Sequence, residues 1–261
     1  MAVRDFCRTF APMKQTLQIG GRECLLYTEG EQQPQVLLIQ TLGAQERDSI
    51  DSEVEMIHEM AVADSKSATQ KSGITNPLQQ KVSFVMAAFA IGDWEVELTP
   101  WHDPAVSKRQ AVGEHAFDTL DYITRCLIPY LQERFGHLPV VLGGYSLGGL
   151  FSRWAASKAE CFEAVAAVSP SLWIDAWCGF SDAHAVYARY VYLSLGDREE
   201  HCRDKAIAQV GNNIRWEHEH LKQTLGSDYT TLEWNTSNHF VDGARRTAKG
   251  FAWCIDKVCQ R

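Results

Sequence analysis

A short apolar run, a glycine-rich turn and a helical pattern follow one another between residues 140 and 158. No other part of the chain constrains its fold as much. Val140-Val-Leu142 carries no polar residue, so it reads as a strand buried on both faces. It runs directly into Gly143-Gly-Tyr-Ser-Leu-Gly-Gly149, and Leu150 to Lys158 then reads as a helix. Within the turn, Gly144-Tyr145-Ser146-Leu147-Gly148 fits G-x-S-x-G, in which a serine sits at a sharp strand-to-helix corner. The glycines at 144 and 148 remove side chains that would collide across that corner. The helix N-terminus aims its dipole and free N–H groups at the same point.

The rest of the chain repeats this alternation. Residues 14–28 read as two strands turning at Gly20-Gly21. Val36–Ile39, Val82–Ala90, Ala164–Val168, Tyr190–Leu195 and Tyr229–Trp234 are further strands. Helices are expected over 51–61, 203–225 and 242–258, and from Phe117 through Leu131 to an end near Gly136, with Pro129 as a kink or early stop. Residues 62–80 are polar and read as an exposed loop, and Gly92–Pro104 as a long aromatic loop. Strands alternating with helices of this length imply parallel pairing with right-handed crossovers. The expected architecture is α/β: a mostly parallel central sheet with helices on both faces. With 261 residues, no internal repeat and no linker, one domain over 1–261 is expected.

Composition narrows the partners. No stretch approaches the roughly 18 consecutive apolar residues of a transmembrane helix. The N-terminus, Met1-Ala-Val-Arg-Asp-Phe-Cys-Arg8, places charges where a signal peptide needs its apolar segment, so a cytoplasmic location is expected. A formal net charge of -8 disfavours nucleic acid and anionic membranes as partners. The eight cysteines contain no C-x-x-C pair and no Cys/His cluster has metal-ligand spacing, so reduced thiols and no metal site are expected. Cys126 and Cys254 fall on apolar helical patterns.

A serine hydroxyl becomes a useful nucleophile only beside a base. In folds of this type the order along the chain is Ser, acid, His. Five histidines follow Ser146: His184, His201, His218, His220 and His239. His239 alone lies just past the last expected strand, where doubly wound sheets gather their ligands. The acid should follow the strand ending at Leu195, and Asp197, Glu199 and Glu200 all stand there. The residues themselves leave that choice open. Two backbone N–H groups should hold an oxyanion: that of Leu147, and one from Gln40-Thr41-Leu42-Gly43 after the early strand.

These segments, together with Asp93-Trp94 through Thr99-Pro-Trp101, Leu127-Ile-Pro-Tyr130, Val168-Ser-Pro-Ser-Leu-Trp173, Leu193-Ser-Leu-Gly-Asp-Arg-Glu199 and Asn238-His-Phe240, resemble an esterase family of α/β-hydrolases. It contains the ferric enterobactin esterases and, more distantly, feruloyl esterases, S-formylglutathione hydrolases and mycolyl transferases. The resemblance spans roughly residues 80 to 255. It implies Ser146 as nucleophile and His239 as base. It ranks Glu199 first as the acid, through Gly196-Asp-Arg-Glu199, with Asp197 and Glu200 behind. It also implies Trp94, Trp101, His102, Tyr145 and Trp173 around the pocket; Thr41 and Leu42, the candidate oxyanion donors beside Leu147, come from the fold rule above and not from the resemblance. Relatives often carry an Asp-Gly pair where this chain reads Thr41-Leu-Gly43.

The expected function is therefore hydrolysis of a small, siderophore-like or aromatic carboxylic ester through an acyl-enzyme, with no cofactor. Acyl transfer by the same residues, or a non-catalytic binding module on the same fold, are the alternatives.

Overall fold

The computed structural model describes residues 12–28, 33–72, 82–108, 113 and 115–259, with backbone alone for 62–72. Eight strands form one sheet in the order β1-β2-β4-β3-β5-β6-β7-β8. They are β1 (Met13–Ile19), β2 (Arg22–Thr28), β3 (Val36–Leu42), β4 (Phe84–Ala90), β5 (Val140–Tyr145), β6 (Ala164–Val168), β7 (Tyr190–Gly196) and β8 (Thr230–Asn235). The hairpin β1–β2 turns at Gly20 and Gly21, whose φ of 55° and 85° suit a two-residue turn that side-chain-bearing residues adopt poorly. β2 then pairs antiparallel with β4, and every pairing from β4 across to β8 is parallel.

The parallel strands are apolar because both their faces are covered. All seven residues of β3 and of β7 are buried. Alternate residues feed two separate cores. Leu37, Ile39, Leu142 and Leu193 face one helical layer; Val36, Leu38, Val141 and Tyr192 face the other. The second layer holds α1 (Ile50–Ser72) and α9 (Gly243–Cys259), through Ile50, Val54 and Ile57 of the one and Phe251, Cys254 and Ile255 of the other. The first layer holds α3 (Ala116–Tyr122), a π-helical turn (Ile123–Leu127), α4 (Ile128–Phe135), α5 (Leu147–Ala155), α6 (Trp177–Ala183) and α8 (Val210–Thr224). Two short helices, α2 (Trp94–Leu98) and α7 (Lys205–Ala208), and a 3₁₀ turn (Glu199–His201) complete the set in the described residues. This is the α/β-hydrolase fold, as expected. Each buried leucine or phenylalanine contributes about 1.5–3 kcal/mol.

Several expectations need correction. The polar stretch after residue 61 does not open into a loop: α1 continues to Ser72, and the remainder of the expected loop, 73–80, lies outside the described residues. The aromatic segment after β4 contains α2, capped by Asp93, whose side chain accepts from the Val96 N–H. Pro129 does not stop its helix. The π turn just before it shifts the register, so the Ile128 N–H reaches Ile123 O five residues back and the helix runs on to Phe135. The segment 203–225 breaks at Gln209 into α7 and α8. α6 lies where no helix was expected, and Cys126 is exposed rather than apolar-packed. Among the described residues, no helix is long and apolar enough to cross a membrane.

Candidate active site

Ser146 stands between β5 and α5 with φ 59° and ψ -119°. That region is costly for a residue with a side chain, on the order of 1–3 kcal/mol, and the surroundings must enforce it. They do so from two sides. The Ser146 N–H donates to Val168 O at 3.0 Å, which ties the corner to the end of β6. A Cβ at Gly144 would stand 2.7 Å from the backbone carbon of Gly148, so the chain passes over itself at van der Waals limit. Ser171, in the turn after β6, adds its N–H to Ser146 O at 3.2 Å and its hydroxyl 3.4 Å from Ser146 Oγ.

The parallel sheet delivers the other groups to the same edge. β7 ends at Gly196 beside Asn235, the last residue of β8, so the loops carrying Glu199 and His239 leave the sheet as neighbours. His239 Nε2 lies 3.0 Å from Ser146 Oγ, and its Nδ1 lies 2.7 Å from Glu199 Oε2. Tyr145 Oη donates to the His239 carbonyl at 2.7 Å and so fixes the histidine's backbone. Of the three carboxylates that sequence leaves open, Glu199 is the one facing His239. Glu200 pairs with Arg215 on α8, at 2.6 and 2.8 Å. Asp197 donates its backbone N–H to Asn235 O at 2.8 Å, and its buried Oδ1 has no hydrogen-bond partner among the described residues.

Glu199 is buried, and its second oxygen is also engaged. Oε1 accepts from Ser169 Oγ at 2.7 Å, from the Gly196 N–H at 2.8 Å and from Arg246 Nη2 at 2.7 Å. Burial pushes the carboxyl up, but the hydrogen bonds and charges of His239 and Arg246 outweigh it and hold it at about 2. Arg246 also donates from Nη1 to Tyr145 Oη, Ser237 Oγ and Asn238 O. Burial, with Glu199 nearby and Arg246 opposing, pushes the Tyr145 phenol up to about 12.

Thr41 and Leu42 end β3, next to β5 in the sheet, and both are buried. A Cβ on Gly148 would stand 2.5 Å from Thr41 Oγ1, so this hydroxyl sits against the first turn of α5 beside Leu147. A cavity of roughly 700 Å³ opens at Ser146 and His239, flanked by Trp94, Tyr145 and Phe240. Its volume is in the range of small-molecule sites. Trp101, His102 and Trp173 do not line it. Trp101 stacks on Trp177 and Phe180 of α6 and donates to Asp175 O at 2.9 Å, Trp173 packs on the core, and His102 is exposed.

Sequence reasoning missed Ser169, Ser171 and Arg246. Arg246 alone left a signal: cations in the first turn of a helix oppose its dipole, so Arg245-Arg246 at the start of α9 calls for a carboxylate partner.

Residues 27–242 match the family model described as "Putative esterase". The chain belongs to that family. No curated protein matches it in sequence. Among solved structures it is similar to the siderophore hydrolase EstB of Aspergillus nidulans, at 15% identity and TM-score 0.69, with 95% of each chain covered. It is also similar to an IroE-like serine hydrolase of Shewanella oneidensis (14% identity, TM-score 0.64, 94% of this chain and 79% of that one). A third is the enterobactin esterase FES of Shigella flexneri, at 13% identity and TM-score 0.60, where 95% of this chain spans 60% of the other.

Proposed function

We propose that this member of the esterase family hydrolyses carboxylic esters through an acyl-enzyme on Ser146, and that residues 1–261 form a single domain for the purpose. The observation that carries the reading is the unbroken series Ser146 Oγ, His239, Glu199, with heavy-atom separations of 3.0 and 2.7 Å. Both lie within the reach a general base needs.

In this mechanism His239 Nε2 takes the Ser146 proton as Oγ attacks the ester carbonyl. Glu199 holds Nδ1–H and stabilises the imidazolium. The N–H of Leu147 and an N–H at the Thr41–Leu42 end of β3 receive the oxyanion. His239 then gives its proton to the departing alkoxide, draws a proton from the water that attacks the acyl-enzyme, and passes it to Ser146 Oγ as the carboxylic acid leaves. None of these steps calls for a cofactor. Trp94 and Tyr145 would wall the substrate pocket. The net charge of -8 supports a small-molecule ester rather than nucleic acid as the partner. EstB and FES are named for siderophore and enterobactin hydrolysis, so siderophore-like esters belong in the first substrate panel.

The test is labelling with a fluorophosphonate probe followed by peptide mapping. The expected result is a single adduct on Ser146, absent in Ser146→Ala and sharply slowed in His239→Ala. A folded wild-type protein that takes no label would overturn the reading.

A further inference from the structure

The Ser146 cavity carries a carboxyl group that ester cleavage does not use. Glu53, in the first turn of α1, lines the cavity on the wall formed with Glu46, Ser49 and Met56, yet it is only 1% exposed. Its Oε1 has no hydrogen-bond partner among the described residues. The side chain of Gln40 on β3 lies beside the carboxyl, and the Oε1 of Gln40, also 1% exposed, is unpartnered too. Glu46, on the same wall, differs: backbone N–H groups of its own residue and of Gly43 reach its carboxylate. Burial pushes both carboxyls up, and Glu53 well above the ordinary range, with Glu46 adding to the effect and Gln40 opposing it.

Buried polar atoms are rarely left unmatched, and an unmatched one beside a cavity marks what the cavity is built to receive. Once Glu53 is ionised both unmatched atoms are acceptors, so the partner that answers them is a donor. An anion would hold the carboxyl neutral and gain no charge from it, and a hydrocarbon would leave Glu53 Oε1 as it is. A protonated primary amine brings three N–H donors and a charge. Glu53 can ionise to meet it, since a carboxylate in the first turn of a helix is favoured by the dipole. Met56 and Trp94 offer an apolar wall to the methylene stem, and the Trp94 ring is a surface that attracts a cation. Arg245 also lines the cavity, but it is exposed.

We propose that the Ser146 cavity takes esters bearing a protonated primary amine, and that Glu53 pairs with that amine. The proposal rests on the esterase reading for the reacting end of the substrate, and on Glu53 for the other.

Ethyl 6-aminohexanoate and ethyl heptanoate differ only in ammonium against methyl. The ratio of their kcat/KM values at pH 7 should favour the amine by about tenfold or more in the wild type, as a charge-assisted contact implies. That ratio should fall towards one in Glu53→Gln, with cooperative unfolding showing that the variant is folded. A wild-type ratio at or below one overturns the proposal while leaving the esterase reading intact. Calorimetry of Ser146→Ala with the same two esters separates the two ideas. Tighter binding of the amino ester supports the amine site even if fluorophosphonate labelling has failed, and equal or undetectable binding of the two overturns it.

Discussion

Arg246 donates from Nη2 to Glu199 Oε1 at 2.7 Å, while the other oxygen of the same carboxylate stands 2.7 Å from His239 Nδ1. One buried guanidinium thus fixes the carboxylate from behind and, through Tyr145 Oη, steadies the loop that carries the histidine. In the proposed mechanism Arg246 touches no reacting atom and acts as a positioning residue. Replacing it with Met keeps the bulk and removes the fork of donors. Hydrolysis of a short ester should slow on the order of ten- to a hundredfold, mainly in kcat, because a misplacement of about 1 Å is worth that much. With one cation gone, burial is less opposed and the Glu199 carboxyl should rise from about 2. Its titration by NMR is a readout that loss of packing alone would not move. An unchanged titration would remove Arg246 from this role.

Glu199→Gln tests the next link. The amide can present an oxygen to Nδ1–H but cannot stabilise the imidazolium, and it can equally present N–H and force the wrong tautomer. Loss of an orienting acid of this kind lowers kcat on the order of 10⁴-fold in serine hydrolases. A loss below about tenfold would reduce the machinery to the Ser146–His239 pair.

The same carboxylate makes a pH prediction of definite sign. Its folded pKa, about 2, lies below the ordinary value of 4.5. It therefore stabilises the fold fully above about pH 4.5, and the contribution fades as pH falls from there towards 2. At about 1.4 kcal/mol per unit, the amount at stake is about 3 kcal/mol. Urea unfolding at pH 7, 4.5 and 3 should show wild type losing stability relative to Glu199→Gln between the last two points. Parallel losses in the two proteins would contradict it.

How much of this was legible in the sequence follows from the reach of each signal. The Ser146 corner was readable because its signal is local: a buried strand, a glycine crossing and a helix within 19 residues. His239 was readable from chain order and strand ends. The choice among Asp197, Glu199 and Glu200 was not contained in the residues, because it depends on how the loop after β7 packs on the turn at Ser237, where the Arg198 N–H bonds to Ser237 O. Trp101 and Trp173 were drawn towards the pocket by resemblance, but the unforeseen α6 supplies Trp177 and Phe180, and Trp101 stacks there instead. The long α1 was cut short because its second half carries no apolar stripe. Nothing in the sequence singles out Glu53 in its helical first turn, because its burial depends on distant residues of the cavity wall and β3 packing around it.

The last prediction concerns an anchor distant from the chemistry. Arg153 on α5 and Glu217 on α8 are both fully buried, with Nε donating to Oε1 at 2.6 Å. Ser157 Oγ accepts from Arg153 Nη1 and Ser181 Oγ from Nη2, and the Trp177 indole N–H donates to Glu217 Oε2 at 2.9 Å. Each guanidinium nitrogen and each carboxylate oxygen of the pair has a partner, so removing Glu217 leaves a buried charge with nothing to answer it. Glu217→Ala should cost about 3–5 kcal/mol, read as a lower urea midpoint, whereas replacing Arg153 and Glu217 together by Met and Leu should recover most of that loss. Because Arg153 lies nearly two turns along α5 from Ser146 and outside its hydrogen-bond series, the double variant should also keep its fluorophosphonate reactivity once folded. If the double variant were as unstable as the single one, the cost would lie in packing around Trp177 and not in the orphaned arginine.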